Sequence, residues 1–597
     1  MGTAATPARA AGDDRLGQNG PYAFTTRDFQ LPVADPDDMG NPITLDARVE
    51  VPVGAGPFAG LLINHGYLGD KSSDGDTADA AARRGYIVLR YSSRGFGATL
   101  GQVDLVGAKE TADMITAIKW LNNPANVPIW ADHIAHYGGS YGGAHDFALA
   151  INQDPIVGQA VRALVGAATW TDLYDGLLPH SVLKISYETG FYAAGRQRTD
   201  GYNNYATEVD VMEAKVASGA DLDGVHALLR QHSITGKWDR VHTPTFLVQG
   251  INDGLFDGNQ AIQNYTELHN RGVPVRLYLG GIGHPPARGS GGAEIAHVGD
   301  EVNAWLDHYV RGIDNGIDRA APIEFAETQY FNNDTEHPHT HAAAAFPLGN
   351  EHIVHLCPGT PGQGTLSDAV CPGTMPTLLS AGTGGQPTSE PVVGARVSDG
   401  YKAQFGQDFP SAATPVDVVN FDGPPLLTDT LYAGVPTLRL SVVSDPPTTG
   451  AGGPTPPSAA YQIDPKIYDV APDTTARLIT RGAFAEQPGE GSPGVHTASF
   501  DPWAFAWKFP AGHHVRLSLS SADAAYLKPN PTAFQVAVLT GSTMNLPGSE
   551  SSVAPVFPDL PPAVIVPEVP SPLLLPLAAV LVGGLLQAGR RRKGRAR

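Results

Sequence analysis

One segment of the chain, set between a strand-like run at 133–137 and a helix-like run at 144–151, reads Tyr137-Gly138-Gly139-Ser140-Tyr141-Gly142-Gly143. It has the Gly-x-Ser-x-Gly form of a nucleophile elbow, a tight strand-to-helix turn that strains the serine backbone and pushes its hydroxyl outward. Glycines on either side let the helix and the strand approach each other closely. The alternative is a glycine-rich turn with a chance serine, and the partners described next favour the elbow.

A serine hydroxyl is a poor nucleophile at neutral pH unless an imidazole takes its proton and a carboxylate orients that imidazole. Downstream of Ser140, one strand-like run leads into Asp253 and the next leads into His284. Because the carboxyl ends of parallel strands meet at one edge of a sheet, both side chains are expected beside the serine. Asp257 competes for the role of the acid but lies further beyond its strand, so we assign that role to Asp253. The order serine, aspartate, histidine is that of α/β-hydrolases.

An oxyanion that forms on a substrate needs hydrogen-bond donors, and two are expected near the serine. The elbow aims the backbone amide of Tyr141 and a helix N-terminus at this position. A second donor should come from the loop after an earlier strand, where the chain reads Asn64-His65-Gly66-Tyr67. Tyr67 is the predicted contributor, through either its backbone N–H or its phenol.

Up to about residue 325, short apolar runs alternate with helical stretches, which is typical of an α/β domain. The runs are bounded by Gly or Pro and hardly alternate in polarity, as expected of parallel strands covered on both faces. Residues 105–121 carry one broad apolar face and predict a helix. The segment 170–240 interrupts the alternation with helical, aromatic-rich sequence, and we predict that it forms a cap over the site. The predicted strands lie at 58–63, 86–91, 134–137, 163–167, 245–248 and 275–279.

Beyond residue 326 the helical periodicity disappears, and short β-like runs separated by Gly, Pro, Asp and Ser predict an antiparallel sandwich. His337, His339 and His341 have a spacing that a strand could present as metal ligands, but Pro338 and the nearby alanines favour a loop. The expected chemistry needs neither a metal nor an organic cofactor. The predicted strands of this part lie at 437–443, 459–468, 476–479, 504–509 and 514–518.

Composition limits the possible partners and compartments. The 597 residues are too many for one ordinary core, so two or more domains are expected. With 60 acidic against 39 basic residues, the net charge of -21 argues against nucleic acid as a partner, because phosphate binding needs clustered Lys and Arg. The two cysteines, Cys357 and Cys371, are candidates for a disulfide that would fit an oxidising compartment, and a reduced pair is equally compatible with the sequence.

The C-terminal end has the pattern of a membrane anchor. Residues 573–586 are almost uninterrupted apolar, and a basic cluster begins at Arg590. By the positive-inside rule this cluster stays in the cytoplasm, which predicts that the domains lie outside the cell or at its surface. The first residues lack the apolar core of a signal peptide, so export requires a truncated start or an upstream initiation site. The competing prediction is a tail-anchored protein that faces the cytoplasm.

Motifs in both halves of the chain carry a family resemblance. The first half contains Tyr91-Ser92-Ser93-Arg94-Gly95-Phe96-Gly97, Glu110 and Asp113 ahead of Trp120-Leu121, and the elbow itself. The second half contains Phe505-Ala506-Trp507-Lys508-Phe509-Pro510-Ala511-Gly512-His513-His514-Val515-Arg516-Leu517. These resemble the X-Pro dipeptidyl-peptidase and cocaine-esterase-like hydrolases, the CocE/NonD group, over most of residues 45–540. The resemblance implies an α/β-hydrolase with a helical cap and a C-terminal jelly roll of galactose-binding-like form. It also implies a tyrosine side chain in the oxyanion hole, at Tyr67.

The expected organisation combines these segments. It comprises a disordered start at 1–20, an α/β-hydrolase domain at 21–325 with the cap at 170–240, a β-sandwich at 326–545, a proline-rich linker at 546–572, the anchor at 573–589 and a basic tail at 590–597.

The expected function is that of a serine hydrolase acting by acyl transfer on a small ester or a short peptide. A CocE/NonD-type acyl esterase is favoured, and an X-Pro dipeptidyl aminopeptidase is the alternative. A third possibility is a non-catalytic cell-surface protein whose sandwich binds glycan. The oligomeric state is left open. The expected pocket residues are Trp170, Tyr174, Phe191 and Tyr192, and the cap carboxylates that could hold the ammonium of a peptide substrate are Asp172, Asp175 and Glu188.

Overall fold

The computed structural model describes most of the chain between residues 22 and 548. Among the predicted segments, 1–20, 573–589 and 590–597 lie outside the described residues, as does the linker beyond residue 548. The described residues are 22–152, 154–195, 205–218, 221–251, 253–284, 292–328, 340–346, 348, 351–359, 362–372, 377–381, 418–445, 461–486, 495–523, 526–528 and 534–548.

Ten described strands of the first part of the chain form one mostly parallel sheet. They are β1 (Phe24–Pro32), β2 (Thr44–Pro52), β3 (Phe58–Asn64), β4 (Tyr86–Tyr91), β5 (Ile129–Gly139), β6 (Val161–Ala167), β7 (Thr245–Gly250), β8 (Val275–Gly280), β9 (Ile323–Ala326) and β10 (Thr340–Ala343). Their order is β1-β2-β4-β3-β5-β6-β7-β8-β9-β10. Strands β1, β2 and β10 pair antiparallel at the two edges, whereas the pairs from β4 through β9 are parallel. The carboxyl ends of β5, β7 and β8 therefore lie along one edge of the sheet.

Helices cover both faces of this sheet. Successive residues of each strand point to opposite sides, so neighbouring residues of one strand pack against different helices. In β7, Phe246 packs with the helix Gly292–Tyr309 on one face, and Leu247 packs with the helix Gly258–Asn270 on the other. Strands buried in this way explain the near-continuous apolar runs in the sequence. The remaining helices of the domain are Gly75–Arg83, Ala108–Leu121, Tyr141–Ala150 and Pro155–Ala160.

The segment between β6 and β7 forms a helical layer next to the elbow. Its buried residues share one apolar cluster with Tyr141 and with residues of the second domain. Its helices are Leu173–Leu177, Ile185–Gly195, Thr207–Ser218 and Leu222–Gln231.

The second part of the chain is built from strands around a core that contains Leu356, Phe421 and Leu440. Its described strands are β11 (His352–Pro358), β12 (Gln363–Ser367), β13 (Thr377–Ala381), β14 (Val418–Asp422), β15 (Thr430–Gly434), β16 (Thr437–Asp445), β17 (Tyr461–Val470), β18 (Ala476–Arg481), β19 (Phe484–Glu486), β20 (His496–Phe500), β21 (Phe505–Phe509), β22 (His514–Ser520), β23 (Phe534–Val538) and β24 (Thr543–Leu546). One described sheet follows the order β13-β23-β16-β24-β11-β12-β14-β22-β17-β18, with β19 on β17 and β20 on β16, while β15 pairs with β21. The predicted fold class, an α/β-hydrolase domain followed by a β-rich domain, is confirmed.

Two predictions on this part of the chain have different outcomes. His341 lies in β10 rather than in the predicted loop, because pairing with β9 stacks its ring on Phe325 and brings its Nε2 to 2.7 Å from the Glu327 carboxylate. His337 and His339 lie outside the described residues. Cys357 and Cys371 are joined by a disulfide.

The second domain contacts the loop that follows β7, the cap and the helix that begins at Gly258. The Tyr526 hydroxyl donates a hydrogen bond to the Gly254 carbonyl, next to Asp253. The backbone N–H of Lys528 donates to the Leu183 carbonyl over 2.8 Å. The second domain also contacts the helix that begins at Gly258, because the Ala504 N–H donates a hydrogen bond to Asn259 Oδ1 over 2.7 Å. The loop after β7 that carries the predicted acid Asp253, the acid loop, is therefore supported by both domains.

Within the described part of the chain, the helices are too short or too polar to cross a lipid bilayer.

Candidate active site

The elbow carries Ser140 in a strained conformation, with φ 56° and ψ -118°. Its N–H donates to the Ala167 carbonyl over 2.8 Å, which fixes the turn at the end of β5. A Cβ atom on Gly138 would lie 2.1 Å from the Gly142 carbonyl oxygen, and one on Gly142 would lie 2.0 Å from the Asn64 carbonyl oxygen. Only glycine fits at these two positions, so the glycines of the motif are explained by the close approach of helix and strands.

The structure brings the three predicted catalytic residues together. His284 Nε2 lies 2.7 Å from Ser140 Oγ, and His284 Nδ1 lies 2.9 Å from Asp253 Oδ2. A carboxylate only accepts hydrogen bonds, so Nδ1 must carry the proton and Nε2 is left to accept the serine proton. All three side chains are buried, at 6%, 2% and 1% exposure for the serine, histidine and aspartate. This is the geometry that a general base and its nucleophile require.

The carboxylate of Asp253 is fixed by backbone donors. Leu255 and Phe256 donate to Oδ1 over 2.8 and 3.0 Å, and the N–H of His284 donates to Oδ2 over 2.9 Å. The ring of Phe256 also lies edge-on to the imidazole of His284, with centroids 5.4 Å apart. The carboxylate is thus oriented before any substrate binds.

The competing carboxylate, Asp257, lies on different partners. Its Oδ1 accepts from the Asn259 N–H over 3.2 Å and caps the helix Gly258–Asn270, while its Oδ2 lies 3.3 Å from Lys184 Nζ. Lys184 is fully buried, donates also to the Leu255 carbonyl over 2.7 Å and lies over the Trp503 ring. Burial lowers the pKa of Lys184, and the Asp257 carboxylate opposes that shift. The contacts of Asp257 are those of a structural ion pair.

The two predicted oxyanion donors flank the serine. Tyr141 begins the helix after Ser140, so its backbone N–H is one of the free amides of a helix N-terminus. Tyr67 lines the same cavity as Ser140, and its hydroxyl contacts the hydroxyl of Tyr205 from the cap. Burial raises the pKa of Tyr67 well above its ordinary value, so the phenol keeps its proton at neutral pH.

A buried carboxylate that the sequence reasoning did not assign to the site supports Tyr141. The Tyr141 hydroxyl donates to Glu110, at 2.7 and 2.8 Å from the two carboxylate oxygens. The same carboxylate accepts from the N–H groups of Asp104 and Val106 over 3.1 and 3.2 Å. Burial, followed by the charge of Asp104, raises the pKa of Glu110 well above its ordinary value. In the sequence, the family motif that contains Glu110 is the one feature that could have pointed to a role for this residue in the site.

Beneath the elbow, a second histidine makes structural contacts. His136 Nδ1 lies 2.7 Å from Asp146 and its Nε2 lies 2.8 Å from Asn64 Oδ1. These bonds link β5 with the helix Tyr141–Ala150 and with β3. Burial raises the pKa of Asp146 to about 6, and the neighbouring imidazole opposes this shift.

A cavity of about 90 Å³ opens onto Ser140. Trp170, Phe191 and Tyr192 line it, as predicted from the cap sequence. Tyr174 does not belong to the lining. Its ring packs against His226 at 4.4 Å, and its hydroxyl lies 3.3 Å from Ser181 Oγ, because the short helix Leu173–Leu177 turns this side chain away from the cavity.

Of the three predicted cap carboxylates, one lines the cavity and two do not. Asp172 caps the helix Leu173–Leu177 by accepting from the Tyr174 and Asp175 N–H groups over 3.0 and 3.4 Å, and neither Asp172 nor Asp175 lines the cavity. Glu188 does line it, and so does Glu213, which the sequence reasoning missed. Glu213 lies on a polar helix where no pattern distinguishes it from its neighbours.

Among the described residues, one cluster has the side chains of a metal site: His297, Glu301 and Glu324. Arg276 already forms ion pairs with both glutamates, and His297 Nε2 lies 2.6 Å from Glu324. The cluster therefore contains its own cation, and nothing in its contacts calls for a metal.

Comparison with known proteins gives a consistent picture across both domains. Residues 40–285 match the model of the X-Pro dipeptidyl-peptidase (S15) family, and residues 315–553 match that of the X-Pro dipeptidyl-peptidase C-terminal non-catalytic domain. The chain is similar to two proteins that are named, provisionally, as Xaa-Pro dipeptidyl-peptidases. The Rhodopirellula baltica protein is 21% identical over 61% of this chain and 56% of its own, and the Streptomyces avermitilis protein is 24% identical over 47% and 41%. The chain thus matches about half the length of these relatives.

Several solved structures have a similar fold. An aminopeptidase from a marine sediment thaumarchaeon superimposes with a TM-score of 0.64 and 14% identity, over 91% of this chain and 99% of its own. An α-amino acid ester hydrolase gives 0.63 and 16%, over 92% and 100%. A CocE/NonD family hydrolase from Staphylococcus aureus gives 0.62 and 11%, over 91% and 99%. At these identities the similarity shows the shared two-domain fold.

Proposed function

The chain belongs to the X-Pro dipeptidyl-peptidase and CocE/NonD family of serine hydrolases, and from this premise we propose that it is an acyl esterase that acts through Ser140. The observation that carries the proposal is the hydrogen-bonded line from Asp253 through His284 to Ser140, which ends in a cavity. In such an arrangement the histidine activates the serine, which can then attack a substrate carbonyl bound in the cavity.

In the proposed reaction, Ser140 Oγ attacks the ester carbonyl while His284 Nε2 takes its proton. Asp253 holds the resulting imidazolium in place. The imidazolium then protonates the leaving alcohol, and an acyl group remains on the serine oxygen. A water that gives its proton to the same nitrogen attacks this acyl-enzyme, and the imidazolium returns that proton to Ser140 Oγ as the acyl bond to the serine breaks and the acid leaves. The backbone amide of Tyr141 and the phenol of Tyr67 are proposed to donate to the oxyanion in both steps.

The cavity favours a small acyl group. Its lining is largely apolar and aromatic, with Trp170, Phe191, Leu173 and Met212 among its side chains. Its volume of about 90 Å³ is below the roughly 150 Å³ of an apolar cavity that holds benzene. We therefore propose short acyl esters as the substrate class.

A second candidate function is favoured by one specific observation, the presence of Glu188 and Glu213 in the lining of the same cavity. A dipeptidyl-peptidase has to hold the ammonium of its substrate, and carboxylates in an otherwise apolar cavity suit that role. An X-Pro dipeptide donor is therefore kept as the alternative substrate.

Parallel assays on acyl esters and on Ala-Pro-nitroanilide should separate the two candidates. For the esterase, we expect kcat/KM for acetyl and butyryl nitrophenyl esters to exceed that for the palmitoyl ester and for Ala-Pro-nitroanilide by at least about tenfold, because a long chain does not fit the cavity. A preference for Ala-Pro-nitroanilide, combined with a rise in its KM in Glu188→Gln or Glu213→Gln, would instead establish the peptidase. Glu208→Gln is the matched control, since Glu208 is an exposed carboxylate on the helix that carries Glu213.

We also propose that the two domains work outside the cytoplasm. The disulfide between Cys357 and Cys371 supports this location, because such bonds persist in oxidising compartments. Free thiols at both positions in freshly isolated protein would contradict it. The anchor at 573–589 and the basic tail lie outside the described residues and remain predictions.

A further inference from the structure

Two phenols meet beside the nucleophile, one from each side of the cavity. The hydroxyl of Tyr67 contacts the hydroxyl of Tyr205, and both residues line the cavity of Ser140. The Tyr205 hydroxyl also lies 3.0 Å from the Phe191 carbonyl oxygen, near the end of a cap helix. A carbonyl only accepts, so Tyr205 donates its single proton there. Tyr67 must then donate its own proton to Tyr205, and in this arrangement that proton points away from the substrate.

Tyr205 is firmly held. It is 2% exposed, its ring stacks on Tyr192 with centroids 5.1 Å apart, and its backbone pairs with Val103 in an isolated β-bridge. The next residue, Ala206, donates to the Val103 carbonyl over 3.0 Å. The Tyr205 hydroxyl is therefore positioned by the loop that begins at Val103.

The same loop contacts the other oxyanion residue. The N–H of Val106 lies 3.0 Å from the Tyr141 hydroxyl and 3.2 Å from the Glu110 carboxylate. Leu105 and Val106 both have positive φ values, 54° and 60°, which are uncommon for non-glycine residues. One strained loop thus supports Tyr141 directly and Tyr67 through Tyr205.

We propose that Tyr205 is a positioning residue of the oxyanion hole, whose hydroxyl turns from the Phe191 carbonyl to the Tyr67 oxygen when an oxyanion forms. The inference rests on the proposed function and deepens it. Tyr67 is then free to donate its proton to the oxyanion while it accepts one from Tyr205. Both rings stay in place, and only two hydroxyl protons change direction. A hydrogen bond received by a phenol strengthens the one that it donates, so Tyr205 acts on the transition state through Tyr67.

A double-mutant cycle on the best ester substrate tests the relay. Tyr67→Phe should lower kcat by about 10²-fold with little change in KM, because the donated bond strengthens only in the transition state. Tyr205→Phe should lower kcat by roughly tenfold, again with KM nearly unchanged, as expected for loss of one supporting hydrogen bond. The double variant should be no slower than Tyr67→Phe alone, because Tyr205 has no route to the oxyanion without the Tyr67 hydroxyl.

Tyr265→Phe is the matched control, since its ring is buried in the same domain and its hydroxyl lies 3.4 Å from His269. Melting temperatures of all variants show whether each protein is folded. A Tyr205→Phe variant that behaves like Tyr265→Phe, or whose effect adds to that of Tyr67→Phe, would overturn the relay while leaving the esterase in place. A wild-type protein that hydrolyses none of the substrates would remove the proposed function and the relay with it.

Discussion

Ser140→Ala is expected to lower kcat by on the order of 10⁶ while the protein stays folded. The substitution removes the hydroxyl oxygen that lies 2.7 Å from His284 Nε2 and leaves every backbone contact of the elbow unchanged. His284→Ala should be nearly as severe, because the serine would keep its proton. Rates on the best ester, together with fluorophosphonate labelling of the purified protein, measure both effects.

Ser367→Ala serves as the control for this experiment. Ser367 lies at the end of β12 in the second domain, where its Oγ accepts from the Ala369 N–H over 3.1 Å. It should retain full activity and full labelling. Residual hydrolysis by Ser140→Ala above about one per cent of wild type would exclude Ser140 as the nucleophile, because a true nucleophile leaves far less.

Asp253→Asn is expected to lower kcat by about 10⁴-fold, less than the loss of the serine or the histidine but still a large effect. An amide in place of the carboxylate favours the wrong tautomer of His284, since its NH₂ group would donate to Nδ1 instead of accepting from it. Asp257→Asn is the natural comparison. Asparagine still caps a helix well, so the expected damage is a loss of stability from the unpaired Lys184 rather than a loss of rate.

The two aspartate variants have to be compared at equal folded fraction, with kcat measured on protein whose melting temperature is known. If Asp257→Asn proved slower than Asp253→Asn under these conditions, the assignment of the acid would have to be reversed. Equal, small effects of both would indicate that His284 needs no carboxylate partner.

The sheet and the three residues of the site could be predicted because they depend on local patterns. A buried strand that ends in a carboxylate or a histidine places that group at the sheet edge, and this holds for Asp253 and His284 whatever the cap does. The glycines in the elbow indicate the same edge of the sheet, because they occur where the backbones of helix and strands come into contact. The antiparallel strand β2, which lies between β1 and β4, could also have been found, since its buried Leu45, Ala47 and Val49 alternate with more exposed residues.

The rest of the site depends on contacts between residues far apart in the chain. Glu110 precedes Tyr141 by 31 residues and Tyr67 precedes Tyr205 by 138, and no local periodicity links such pairs. Tyr174 is a residue that the sequence places in the pocket and the structure places outside it. It has the residue type of a pocket tyrosine, but the rotation of a five-residue helix decides that its ring faces His226. Aromatic residues in a cap fill the core and the pocket alike, and only the packed structure separates the two uses.

The hydrogen bond from Tyr526 to the Gly254 carbonyl has a consequence for how the enzyme is made. Synthesis on the ribosome delivers Ser140, Asp253 and His284 long before Tyr526, which follows Gly254 by 272 residues. Domains generally fold as they emerge, so the first domain meets the second only after the strands of the second domain have been translated. Until then the acid loop lacks its outer support, and the buried Lys184 lacks the Trp503 ring that covers it. The acid loop therefore gains its outer support only after the second domain has been synthesised.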